Sequence, residues 1–273
     1  MRVLVLRNCT VILPCRTLKK ANETKQQILD LVGKEKEQLI IPMEMDLSSF
    51  ASISRFVGEF KEKRLPLHYL INNAGVYLMK RELTEDGFEM DFGVNHLGHF
   101  LLTKLLTPIL ISSAPSQVII VASDAHIFVS SVNLEDYNLT KDFDPGQAYG
   151  LSKLYNIFFC LELNKRLAGT GVIANCLHPG LIRTELTRHN SEEEAKAAID
   201  NLSESFNLPI LTIEQGAATT LYCLSAKEGG NGGVYFQECR ASKPSKKFLS
   251  TDKYQKELWD LSEKLIASKI SKL

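Results

Sequence analysis

Short apolar runs alternate with longer helix-period stretches along the chain, which limits the fold to repeated strand–helix units. The runs are Thr10–Leu13, Gln38–Met43, His68–Ile71, Gln117–Ala122, Val172–Leu177 and Gly233–Phe236. Most are near-continuously apolar, as in strands buried on both faces of a parallel sheet. Between them the spacing predicts a helix from a cap at Thr17 to Gly33. Others are predicted from Ser48 or Ser49 through Phe60, and over Phe92–Ile111, Gln147–Leu167 and Gln215–Leu224. The last helix, Thr251–Ser268, places Tyr254, Leu258, Leu261 and Leu265 on one face. The expected fold is α/β, a doubly wound, mostly parallel, Rossmann-like sheet in one domain over residues 1–273. Glu185–Ile210 is polar and is expected to be a helical insertion without strands on the substrate side. Residues 251–273 form the C-terminal helix and tail.

Composition narrows the function. Lys+Arg and Asp+Glu number 32 each, so no net field recruits nucleic acid or an anionic membrane. A hydrophobic fraction of 44% and a charged fraction of 23% exclude a disordered, collagen-like or coiled-coil chain. Cys9, Cys15, Cys160, Cys176, Cys223 and Cys239 form no C-x-x-C pair and have no ligand spacing with histidine, so reduced, mostly buried thiols are expected. No apolar run reaches about 18 residues, so no transmembrane segment is expected. The stretch Met1–Asn8 is too short in apolar residues for a secretory signal. Ser271-Lys272-Leu273 matches a peroxisomal address, with the cytoplasm as the alternative.

The strongest chemical signal is Tyr149-Gly-Leu-Ser-Lys153. Tyr and Lys at i and i+4 share a helix face, and a neighbouring ammonium favours phenolate. Such a tyrosine can exchange a proton with a substrate oxygen. Alone the pair is weak, but other features point to the same rim. Asn72-Asn73-Ala74-Gly75 follows one expected strand, Ser123 ends another, and His178-Pro179-Gly180 ends a third, with Thr184 beyond. In a doubly wound sheet, loops at the carboxyl ends of strands line the ligand crevice. His96 and His99 have no third ligand at metal spacing and are expected to be structural, with no metal site. His178 is expected to pack or cap a strand end, and Lys61–Arg64 is a solvated charge run.

These motifs, in their order and spacing, resemble the short-chain dehydrogenase/reductase family over about residues 9–240. Val94–Thr103, Ser123–His126 and Cys15-Arg16 resemble its retinol-dehydrogenase-like branch. Leu65–Gly75 and Lys256–Trp259 point to one member in particular. The resemblance implies a catalytic group of Asn95, Ser123, Tyr149 and Lys153. Tyr149 would be the general acid in reduction and the base in oxidation. Lys153 would lower its pKa and hold the nicotinamide ribose, Ser123 would bond the substrate oxygen, and Asn95 would anchor a relay water. Asn73, Ala74 and Gly75 would run along the cofactor, Asp46 would meet the adenine and Thr184 the carboxamide, with Pro179 and Gly180 on the same rim.

Arg16, Lys19 and Lys20 follow the first visible strand with no acid at that turn. An Arg there accommodates a 2′-phosphate, so NADP(H) is preferred and NAD(H) possible. The family's opening strand, Gly-rich turn and first helix have no counterpart, since Gly33 is the first glycine. Three readings stay open: a shortened sequence, Arg2–Leu6 as a stand-in strand, or a chain acting without cofactor. The expected function is hydride transfer between NADP(H) and a lipophilic alcohol or carbonyl of retinoid, steroid or polyprenoid class. The alternative is a catalytically silent partner or regulator, as a homo-oligomer or paired with a full-length sibling.

Overall fold

The computed structural model describes residues 1–184, 186, 188, 191–206 and 208–270, without the side chains of residues 192, 195, 198, 202, 205 and 206. They fall into two compact units, Met1–Leu65 and Pro66–Leu273.

The first unit runs α1 (Arg2–Leu6), β1 (Val11–Cys15), α2 (Leu18–Val32), β2 (Ile40–Glu44) and α3 (Phe50–Glu62). β1 and β2 pair in parallel, from Val11 opposite Ile40 to Cys15 opposite Glu44. Thr17 caps α2 as expected: its hydroxyl accepts the Lys20 N–H at 3.2 Å. Gly33 ends it at φ 98°, a conformation that favours glycine. Ser49 caps α3, which buries Ile53, Phe56, Val57 and Phe60.

Arg2–Leu6 corrects one sequence reading. It is a helix, not a stand-in strand. Its Val5 is 0% exposed and packs with Leu13, Ile28, Leu29, Val32 and Ile40. Burying such a side chain contributes about 1.5–3 kcal/mol, and a helical turn reaches this core where a strand would turn alternate apolar residues away from it.

The second unit holds β3 (Tyr69–Asn72), β4 (Ser116–Val121), β5 (Val172–Leu177), β8 (Tyr235–Gln237) and β9 (Arg240–Ser242), paired in that order. The first four are parallel and β9 is antiparallel. β4 is buried along its whole length, as its unbroken apolar run predicts. Ile119 and Val121 join Cys223 of α7 (Ile213–Cys223) in one cluster. The alternate residues Val118 and Ile120 point to the opposite face. α4 (His99–Ser112) and α5 (Pro145–Arg166) also pack on β4. α8 (Lys253–Ile270) packs on α5, where the Arg166 guanidinium lies 4.4 Å from the Trp259 ring centroid.

The insertion contains α6 (Glu192–Phe206), but it is flanked by two-residue parallel strands, β6 (Leu181–Ile182) and β7 (Ile210–Leu211). Two residues are too few to leave a period-2 pattern in sequence. All six cysteines are free, and Cys160, Cys176 and Cys223 are buried. Phe92–Ser112 is long and apolar enough to cross a membrane, yet 67% of that window is buried inside the unit.

Candidate active site

The second unit gathers Gly75, Asn95, Ser123, Tyr149 and Lys153. Ser123 stands at the carboxyl end of β4, where the chain leaves the sheet. Its Oγ accepts the Ala125 N–H at 3.2 Å and starts a short helical turn, Asp124–Phe128. Asp144 caps α5 by accepting the Gln147 N–H at 2.7 Å, with Pro145 at the first helical position. This fixes the start of the helix one turn before Tyr149. Gly150 lets α5 approach the Ser123 segment, since a Cβ there would lie 2.9 Å from the Ala125 carbonyl oxygen.

Lys153 is 3% exposed and its Nζ donates to the Val121 carbonyl at 3.3 Å. Asn156 donates to the same carbonyl at 3.2 Å, so two side chains of α5 grip the strand just before Ser123. The Lys153 Nζ lies 5.5 Å from the Tyr149 ring centroid. Tyr77 stands edge-on to that ring at 5.4 Å.

Asn95 lies in a π-helical turn, Phe92–Gly98, that leads into α4. Such turns displace one residue from the helical ladder and often occur at functional sites. The Asn95 side chain is fully buried. Its Oδ1 accepts the Val76 N–H at 2.9 Å, and its Nδ2 donates to the Val76 carbonyl at 3.0 Å and to Ser152 Oγ at 2.9 Å. The Asn95 carbonyl faces His99 Nδ1 at 3.0 Å. A Cβ on Gly75 would meet Asn95 Oδ1 at 3.2 Å and Lys153 Nζ at 3.5 Å, so these three residues converge.

The electrostatics differ from the simple pair read in sequence. Burial pushes the Tyr149 phenol above the ordinary tyrosine range, while the Ser123 hydroxyl pulls it back. Burial pushes Lys153 down to about 8. The ammonium sits over the ring, yet desolvation sets the direction of the Tyr149 shift.

The remaining residues from the sequence fall on the same rim or in the first unit. Asn73 and Ala74 are exposed after β3. His178 Nε2 lies 3.6 Å from Asp124, the neighbour of Ser123, and Pro179-Gly180 follows. Gly180 has φ +94° and a Cβ there would lie 2.5 Å from Leu211, so glycine is required. Thr184 accepts the Leu186 N–H at 3.3 Å, and the Leu186 carbonyl accepts the Tyr77 N–H at 3.1 Å. In the first unit Arg16 is exposed. Asp46 Oδ1 accepts both the N–H and the hydroxyl of Ser48 at 2.8 Å. Glu185 and the tail Ser271–Leu273 lie outside the described residues.

Sequence reasoning missed four groups. Asp124 accepts from Tyr235 OH at 2.8 Å and Gln237 Nε2 at 2.9 Å, tying the Ser123 segment to β8. Asp91 and Glu89 are buried acids before the π-helical turn. Glu44 corrects the view that the β1–α2 turn lacks an acid. Its carboxylate comes from β2 and accepts the Leu18 N–H at 3.2 Å. Only the parallel register could reveal it. His96 Nε2 meets Ser262 Oγ at 2.9 Å within a cluster of aromatic rings, a structural setting.

The dinucleotide of this fold class finds a partial fit. Lys153 has three donors and makes one hydrogen bond among the described residues, which leaves two for ribose hydroxyls. Gly75 leaves room beside it. No Gly-rich strand-to-helix turn is present among the described residues for the pyrophosphate.

Residues 1–195 match the short chain dehydrogenase family. Mouse retinol dehydrogenase 14 is 38% identical over 267 residues, 94% of this chain and 78% of that protein. The chicken WW domain-containing oxidoreductase is 38% identical over 276 residues, 98% of this chain. The chain spans 64% of that protein's length. A crystal structure of a Mycobacterium paratuberculosis protein superposes with a TM-score of 0.71 at 30% identity, covering 97% of this chain and 87% of the other.

Proposed function

Because the chain belongs to the short chain dehydrogenase family, whose members use NAD(P)(H), we propose that it moves hydride between NADP(H) and a lipophilic alcohol or carbonyl. The observation that carries this reading is the convergence of Gly75, Asn95 and Lys153 on one point, with Tyr149 one helical turn before Lys153. Its relatives named retinol dehydrogenases support a retinoid, steroid or polyprenoid substrate class. On Leu65–Gly75 and Lys256–Trp259 we assign its kinship to the member of that branch named after chromosome X.

When bound, the nicotinamide supplies or accepts the hydride. The chain's own residues handle the proton. Ser123 Oγ holds the substrate oxygen, and the Tyr149 hydroxyl gives its proton to that oxygen in reduction. Lys153 keeps a positive charge beside the ring, which limits the cost of the phenolate left behind. Its two remaining donors hold the ribose. On the family's pattern alone we also assign Asn73, Ala74, Pro179, Gly180 and Thr184, and Arg16 and Asp46, to cofactor binding. Arg16 favours the 2′-phosphate and Glu44 opposes it.

Tyr149→Phe tests the reading. Turnover of a retinoid, steroid or polyprenoid carbonyl with NADPH should vanish while NADPH binding persists. Unchanged turnover would reject it. The alternative reading is a catalytically silent binding partner or regulator. Calorimetry that finds no NADPH or NADH binding would select it.

For location we propose the peroxisome, on Ser271-Lys272-Leu273. A reporter fused ahead of the last dozen residues should enter peroxisomes and lose that location when Leu273 is deleted. A diffuse signal in both cases would leave the cytoplasm.

A further inference from the structure

Asp91 is 0% exposed, and among the described residues neither of its carboxyl oxygens has a hydrogen bond of ordinary geometry. It precedes the π-helical turn and stands four residues before Asn95. Glu89, 1% exposed, turns its carboxylate onto the main-chain N–H groups of Asp91 at 2.9 Å and Phe92 at 2.8 Å. A second acid is therefore held against the first. A buried carboxyl with so little hydrogen bonding and an acid for a neighbour is pushed toward keeping its proton, because ionising it would strand a charge in a dry site.

The groups that share an electrostatic field with Asp91 come from three segments. Glu89 lies on its own. Lys153 and Tyr149 lie on α5. Tyr77 and the Leu78 N–H lie on the segment after β3. Asp91 is the one acid whose charge is felt at Lys153 among the described residues. Lys153 is itself buried, with a single 3.3 Å hydrogen bond to hold its ammonium. His99 and His178 are also within the field of Lys153, and burial pushes both imidazoles down. The site thus contains an ammonium lacking an ionised counter-ion and an acid with no donor but the Leu78 N–H, each within the other's field.

We propose that Asp91 is a positioning residue for the proton chemistry of Tyr149: it stores a proton inside the site and, once ionised, is the counter-ion that keeps Lys153 charged. The proposal rests on the proton-exchanging role of Tyr149 and Lys153 given above. Burial, then Glu89, pushes Asp91 up, while burial pushes Lys153 down. The ammonium in turn draws Asp91 down and the Asp91 charge holds Lys153 up, so each charge shifts the other's titration. Once Asp91 gives up its proton, the carboxylate and the ammonium attract, and Lys153 holds its proton more tightly than its burial alone would allow. No bond to Asp91 forms or breaks apart from its own O–H, and its influence on Tyr149 runs through Lys153.

The test uses the full chain without cofactor, so it does not depend on turnover. Lysine labelled with carbon-13 at Cε reports the charge of each Nζ by NMR, and loss of one signal in Lys153→Met assigns Lys153. In Asp91→Asn the Lys153 midpoint should fall by about one pH unit, a tenfold loss of proton affinity, as expected for removing a nearby opposite charge. In Glu89→Gln it should rise, because Asp91 then ionises earlier. Opposite signs separate an electrostatic role from a loosened fold, which would move both the same way. An unchanged midpoint in Asp91→Asn, or a fall in both variants, overturns the proposal. Infrared spectra of the unmodified chain provide a second measurement that needs no Asp91 variant to fold. A buried protonated-carboxyl band at neutral pH should persist in Glu89→Gln until lower pH than in the unmodified chain, and its absence overturns the stored proton. Retained turnover in Tyr149→Phe would instead reject the proposed function and leave the titration result standing.

Discussion

Glu44 at the end of β2 accepts the backbone N–H of Leu18 at 3.2 Å, across the parallel ladder from its register partner Cys15. It thereby sets a carboxylate at the N-terminus of α2, next in sequence to Thr17 and Arg16. The helix dipole favours an anion there by about 0.3–1 kcal/mol, so the position suits a carboxylate and a phosphate equally. Arg55 holds the other Glu44 oxygen from 3.6 Å. Arg16 and Glu44 therefore act on a 2′-phosphate with opposite sign.

Cofactor choice should follow from that opposition. Arg16→Asp should weaken NADPH far more than NADH, since a lost charged contact is worth about 1.5–3 kcal/mol before repulsion is added. Glu44→Gln should do the reverse and tighten NADPH several-fold with little effect on NADH. Isothermal titration of both cofactors checks the pair. Equal changes for the two cofactors would make Arg16 and Glu44 purely structural.

Tyr149→Phe keeps the edge-on contact with Tyr77, whose ring centroid is 5.4 Å away, and removes only the hydroxyl. Carbonyl reduction should therefore drop by at least about 100-fold, the lower range for a positioned acid, with the melting temperature nearly unchanged. Lys153→Met should lose activity and weaken cofactor binding together, because it removes the ribose donors as well as the charge. A Lys153→Met variant with full cofactor affinity would place the ribose elsewhere.

The sequence made the strands and caps legible wherever local chemistry decides them. Thr17, Ser49 and Gly33 bound their helices as read, and Val172–Leu177 is the predicted strand without adjustment. The same reading put Gly75, Ser123 and Gly180 at strand ends and Tyr149 with Lys153 on one helix face, because apolar runs and motif spacing are local signals. It failed where the deciding contact is distant in sequence. Glu44 reaches Leu18 across 26 positions. Asp91 looks like one more acid in a polar stretch until the fold seals it. Arg2–Leu6 has strand-like residues, yet Val5 finds its core as part of a helix. Desolvation of Tyr149 was equally hidden, since spacing shows which charge is near and burial decides how strongly it acts.

Gly150 separates local preference from tertiary fit. In a helix interior Gly→Ala contributes about 1 kcal/mol of intrinsic stability. Here the new Cβ would lie 2.9 Å from the Ala125 carbonyl oxygen, which belongs to the backbone and must move. Gly150→Ala should therefore show no gain in urea denaturation, and it should displace the Ser123 segment. Turnover should fall with cofactor affinity retained. A variant both more stable and fully active would show that the close approach is dispensable.

Stability should carry a pH signature of Asp91. Its folded-state pKa of about 9 stands above the ordinary 3.8, chiefly through burial and then through Glu89. Between those values the folded chain binds a proton that the unfolded chain has released. Folding stability from this group must then fall as pH rises through that window. Buried His96 and His99, pushed down to about 3 and about 4, act the other way: their contribution is full above the ordinary 6.5 and is lost as pH falls through 4 and 3. Both trends are present in the unmodified chain, so the raw stability curve mixes them. The difference between Asp91→Asn and the unmodified chain cancels the histidines and keeps the acid. Asparagine has no proton to store, so the variant should gain melting temperature relative to the unmodified chain from pH 5 to pH 8.5. Thermal melts at pH 5, 7 and 8.5 measure that difference. A difference that stays flat across the three would mean that Asp91 ionises in the folded chain as readily as in the unfolded one.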